Sequence, residues 1–124
     1  MKYSTSLRNA RSDLIATTAG SGAKYKYYNG TESLTPAGTL LATLTVTGAF
    51  QTGASAGGVM DVNETVTQTK ASHVTGTPTF VLVTTSADVP VMTLTVGTDI
   101  TFLGTITTGV DITFNASTMT EGNA

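Results

Sequence analysis

The chain has 124 residues, about one domain, with a formal net charge of −2 and only 11% charged residues. It contains no Cys, which excludes disulfides and thiolate metal sites and points to assembly in a reducing cytoplasm. Thr is the dominant signal: 28 Thr stand beside 11 Val and 13 Gly, and β-branched side chains fit a pleated surface better than a helix.

The first residues, Met1-Lys2-Tyr3-Ser4, run into further polar residues. No apolar h-region follows, so no signal peptide is expected. Ser6–Thr18 is the one helix candidate. Leu7, Ala10, Leu14 and Ile15 fall at i, i+3, i+7 and i+8 and share a face. That face packs either on the domain's own sheet or on another subunit. Ser4, Thr5 or Ser6 can cap the start, and Ala19-Gly20-Ser21-Gly22 ends it with glycines suited to a left-handed cap.

From residue 23 the period changes to two. Ala23, Tyr25 and Tyr27 alternate with Lys24, Lys26 and Tyr28, and Asn29-Gly30 closes the strand. Thr39–Thr47 follows, with Leu40, Ala42, Leu44 and Val46 on one face and Leu41, Thr43, Thr45 and Thr47 on the other. Gly48–Gly58 reads as a long loop and Val59–Thr69 as a weaker strand pair or extended segment. Thr79–Thr84 is the most apolar strand. Asp88-Val89-Pro90 turns the chain into Val91–Val96, and Asp99–Leu103 and Asp111–Met119 complete the set. The last segment carries Ile112, Phe114 and Ala116 on one face. Regular, turn-punctuated strands without an internal repeat predict an all-β antiparallel sandwich or barrel. The expected organisation is an N-terminal helical arm, residues 1–22, and a β-sandwich domain, residues 23–124. No run of 18 apolar residues suggests a membrane span.

Chemistry is sparse. The lone histidine, His73, lies in a polar stretch and reads as a surface residue. No nucleophile-elbow motif accompanies it or Ser72. Asp61-Val62-Asn63-Glu64 lacks the spaced ligands of an EF-hand loop. Gly53–Gly58 is followed by no Lys-Ser/Thr and no helix, so it is not a phosphate cradle. No enzyme, metal or cofactor is therefore expected. Tyr25, Tyr27 and Tyr28 form the one aromatic cluster. They either fill a sheet face or, in a second reading, stack on a glycan.

Charge is divided along the chain. Through Lys26 there are five bases (Lys2, Arg8, Arg11, Lys24, Lys26) against one acid, Asp13; from Tyr27 onward there are seven acids against Lys70. Either sparse surface charges fall this way by chance, or the basic end suits an acidic partner. Five cations without interleaved aromatics do not make a nucleic-acid site.

Several segments together resemble a family of small tailed-bacteriophage virion proteins of the head-decoration type. They are Leu7-Arg8-Asn9-Ala10-Arg11-Ser12-Asp13-Leu14-Ile15, Gly22-Ala23-Lys24-Tyr25-Lys26-Tyr27-Tyr28-Asn29-Gly30-Thr31, Leu40–Val46, Thr75-Gly76-Thr77-Pro78-Thr79-Phe80, and the close from Val110 to Thr120. Residues 49–70 depart most, and Val81 and Leu82 stand where the family usually carries Arg. The resemblance implies a jelly-roll-like sandwich that binds the major capsid protein on the outer surface of the virion as a cement protein. Such a protein has no catalytic residues to carry over. Closed two-fold or three-fold association, a homodimer or homotrimer, is the matching geometry. The expected anchor is Lys2, Arg8 and Arg11 with the helix face Leu7, Leu14 and Ile15. The alternative is a tail or fibre component, glycan-binding through the tyrosines.

Overall fold

The computed structural model describes residues 2–100, 104–113 and 118–120. One helix, α1 (Thr5–Ala19), precedes seven strands: β1 (Lys24–Tyr28), β2 (Leu40–Val46), β3 (Val59–Asp61), β4 (Val66–Gln68), β5 (Phe80–Thr84), β6 (Pro90–Thr95) and β7 (Thr118–Thr120). Five of them form an open antiparallel sheet in the order β4-β2-β1-β5-β6, and β3 pairs with β7 in a separate two-stranded ladder. The antiparallel, β-rich class and the N-terminal helix agree with the sequence. The segment 59–69 is two strands that do not pair with each other: β3 joins β7, and β4 joins the edge of β2. The expected strands 99–103 and 111–119 lie partly outside the described residues. Within them, Ile100 makes a single bridge to Val96.

Ser4 caps α1, its hydroxyl accepting the Leu7 N–H at 3.2 Å. Gly20 ends the helix at φ 73°, a left-handed conformation that glycine adopts without a Cβ penalty.

Strand alternation sorts the five-stranded sheet into two unlike faces. On the inner face Tyr25 stands between Leu44 and Val83, and Tyr27 between Ala42 and Val81. All six are buried, together with Val46 and Leu94. Phe50, Met60, Val62, Ile106 and Ile112 close this core from the other side. Phe50 meets the Tyr25 ring at 5.7 Å between centroids. Burial of this kind, about 1.5–3 kcal/mol for each large side chain, is the main stabilising term.

The outer face consists of three cross-strand rows. Thr67, Thr45, Lys24 and Thr84 form the first; Thr43, Lys26, Leu82 and Thr93 the second; Leu40, Tyr28, Phe80 and Thr95 the third. Tyr28 stacks on Phe80 at 5.6 Å. Residues 30–38 return across this face, where both oxygens of the Glu32 carboxylate accept hydroxyls, from Thr93 and Thr95, at 2.7 Å each. The pairing shifts register between Tyr27 and Tyr28. As a result Leu41, expected beside Thr43 on the polar face, is buried, whereas Leu40 is partly exposed.

Candidate functional site

The helix is fixed to its own domain by polar contacts from one side. Asp13 Oδ1 accepts the Gln51 amide at 2.8 Å and the Ser55 backbone N–H at 2.9 Å. These bonds hold its carboxyl below the ordinary value of 3.8. Asn9 Oδ1 accepts the Gly58 N–H at 2.7 Å. Apolar and small residues complete the contact: Ser12 and Ala19 are buried, and Ile15 and Ala16 pack against the core. Residues 50–58 form the matching surface, and Gly58 takes φ 77° with the Arg8 guanidinium lying where its Cβ would be.

The six residues expected to form an anchor are divided by this docking. Leu7 is 47% and Leu14 64% exposed. They are seven residues apart, two turns or about 10 Å along the axis, and they point the same way. Ala10 between them is exposed, and so is Lys2. Arg11 is half-buried with its guanidinium 4.6 Å from the centroid of the Tyr3 ring, a cation–π contact. Arg8 and Ile15 face inward. Arg8 is half-buried against Gly58, and its Nε, shielded from solvent, has no hydrogen-bond partner among the described residues. In sequence Leu7, Ala10, Leu14 and Ile15 read as one face with two possible partners; in the folded chain Leu7, Ala10 and Leu14 face solvent, whereas Ile15 belongs with Ser12 and Ala19 to the inner side.

The His73 reading changes, and for Tyr25 and Tyr27 the structure decides between the two readings in favour of the sheet face. His73 is 3% exposed, not a surface residue. It follows a 3-10 turn, Lys70–Ser72, and its Nδ1 lies 3.1 Å from the Val110 carbonyl. Thr108 Oγ1 donates to the His73 carbonyl at 2.6 Å. Nearby, Gln68 clamps Ile112, donating to its carbonyl at 2.8 Å and accepting its N–H at 2.7 Å. Tyr25 and Tyr27 are buried at 0% and 1% exposure, and Tyr25 donates its hydroxyl to the Asn63 carbonyl at 3.2 Å. Burial raises the pKa of both phenols. They fill a sheet face and offer no platform to a glycan.

Lys24 and Lys26 reach one acceptor. Asp88 Oδ1 lies 3.0 Å from the Lys24 ammonium and 2.7 Å from that of Lys26. The hydrogen bonds from these lysines lower the Asp88 carboxyl below 3.8. Among the described residues no cluster of three His, Cys, Asp or Glu side chains could hold a metal ion. Comparison with protein-family models, with curated proteins and with solved structures finds no match for this chain.

Proposed function

We propose that the protein is a bacteriophage capsid decoration (cement) protein, a structural subunit without catalytic activity that binds the major capsid protein on the outer surface of the shell. The observation that carries this reading is the fixed outward stripe of α1. Asp13, Asn9 and the small inner residues hold the helix rigidly, so Leu7 and Leu14 are presented without an ordering cost at docking. Arg11 and Lys2 beside the stripe suit an acidic rim on the partner. Arg8, half-buried against Gly58, belongs to the support of the helix more than to the contact.

The experiment is co-sedimentation of the whole protein with capsid shells of the phage that encodes it. Leu14→Asp and Leu7→Asp should abolish binding while the far-ultraviolet spectrum is unchanged. Equal binding by both variants would overturn the anchor. The copy number in purified particles tests location. Abundance comparable to that of the coat protein supports decoration; a few copies per particle would make the chain a tail or fibre part.

Two finer points belong to the same proposal. The β3–β7 ladder and the 50–62 segment act as the second layer of a jelly-roll-like sandwich, a reading supported by Phe50, Met60 and Val62 closing the inner face. Amide exchange at Val59–Asp61 as slow as in β1 would bear this out; exchange at loop rates would refute it. The second point is closed association as a dimer or trimer, favoured by open sheet edges that carry Thr and Val instead of charge. Native mass spectrometry would settle it, and a monomer at micromolar concentration would count against it.

A further inference from the structure

A trough of about 480 Å³ lies on the outer face, over β2 and β4 and beside the 3-10 turn. Thr43, Thr45, Thr69 and Ser72 line it, and none of these four hydroxyls has a hydrogen-bond partner among the described residues. Lys24 lines it from β1, and among the described residues no carboxylate does. Among the described residues the one acid that meets Lys24, Asp88, is shared with Lys26, so two ammonium groups stand against a single negative charge.

His73 also lines the trough. Its Nδ1 faces a carbonyl, which only accepts, so Nδ1 carries the proton. In the neutral ring Nε2 is then an acceptor, and this buried atom has no partner among the described residues. The trough thus combines unpartnered hydroxyls with a cation that shares its carboxylate partner with Lys26.

We propose that this trough is a binding site for an acidic saccharide. Ring hydroxyls both donate and accept, as the Thr and Ser hydroxyls do, and the carboxylate of a uronic acid meets Lys24. Extent favours a saccharide over a simple anion. Thr43 and Thr45 lie two residues apart on β2, about 7 Å, and Thr45 faces Thr67 across about 5 Å. One inorganic ion cannot bridge those groups. Among the described residues Leu40 is the one large apolar side chain in the lining, and no Phe, Tyr or Trp ring is present for stacking. Single-site affinity is therefore weak, on the order of 1 mM. The site is separate from the outward stripe of α1 and does not rest on the capsid reading.

The test is an NMR titration of the full chain with three probes: a galacturonic acid trisaccharide, a neutral galactose trisaccharide and inorganic phosphate. The acidic trisaccharide should shift the amides of Thr43, Thr45 and Thr69, and the neutral one should bind more weakly. Lys24→Gln should weaken the acidic ligand about tenfold, the scale of one charge-assisted hydrogen bond. Thr45→Val, which leaves the lysine–Asp88 pair intact, should also weaken it, so a folding defect in one variant does not decide the matter. Shifts with phosphate alone, shifts confined to α1, or no shifts at tens of millimolar would each overturn the proposal.

Discussion

The guanidinium of Arg8 fills the position where a side chain on Gly58 would begin. Helix and loop are therefore complementary at a single point that tolerates no extra carbon. Gly58→Ala adds a Cβ against that group and forces a non-glycine residue to hold φ 77°. The variant should lose about 2 kcal/mol or more in urea denaturation. In the Arg8→Ala background the loss should shrink to the backbone contribution, about 1–2 kcal/mol. Equal losses in both backgrounds would show that the two residues do not interact.

Acid should loosen both the helix junction, through Asp13, and the lysine pair on the sheet, through Asp88. Asp13 and Asp88 both have lowered carboxyl pKa values, from the hydrogen bonds of Gln51 and Ser55 and of Lys26 and Lys24 respectively. A depressed folded-state pKa stabilises the fold above the unfolded value, here 3.8, and that stability is lost as pH falls through the lower folded value. Thermal unfolding temperature should therefore drop below about pH 4. In Asp13→Asn/Asp88→Asn the drop should be smaller; an identical profile would assign the acid sensitivity to other groups.

Base acts through the tyrosines. Tyr25 and Tyr27 are held protonated above the ordinary value of 10 by burial. A raised phenol pKa means the native state binds more protons than the unfolded chain above that pH, so stability falls as pH rises past 10. In an absorbance titration of phenolate, Tyr25→Phe and Tyr27→Phe should each remove signal that appears only on unfolding. A smooth titration of all four tyrosines near pH 10 in the folded protein would contradict their burial.

His73 joins the 70–76 segment to the 106–112 segment. His73→Ala removes a buried ring and its bond to Val110, which should cost about 2–4 kcal/mol. Hydrogen exchange at Ile106 and Ile112 should accelerate before exchange in β1 does. Uniform acceleration would mean the two segments open only with the whole domain.

Much of the sheet was legible because β1 and β2 alternate cleanly and each presents a buried face to the same core. Tyr25, Tyr27, Ala42, Leu44 and Val46 follow directly from period two. The helix was legible as a helix but not in its orientation. Its inner surface holds one large apolar residue, Ile15, and is otherwise built from Ser12, Ala16 and Ala19 and fixed by Asn9 and Asp13, residues whose small size or polarity carries no strong hydrophobic signal. Leu7 and Leu14, the strongest apolar signal, face outward. His73 was misread because its burial comes from Val110 and Thr108, more than thirty residues away, and nothing in its own neighbourhood announces them. The trough was missed for a related reason. Thr43 and Thr45 were recognised as the polar face of a strand, but Lys24, Thr69 and Ser72 join them only through strand order and the turn at Lys70–Ser72.

The central position of β1 has a consequence for synthesis. One of its neighbours, β2, begins twelve residues after it ends, whereas the other, β5, begins at Phe80. While the chain emerges from the ribosome, one side of Lys24–Tyr28 stays bare until some fifty more residues have been made. A bare strand edge with three large aromatic rings, Tyr25, Tyr27 and Tyr28, is a template for wrong pairing. Lys24 and Lys26, like-charged and alternating along that edge, disfavour association of two nascent copies until Asp88 arrives on the far side of β5 and ties both lysines into the finished fold.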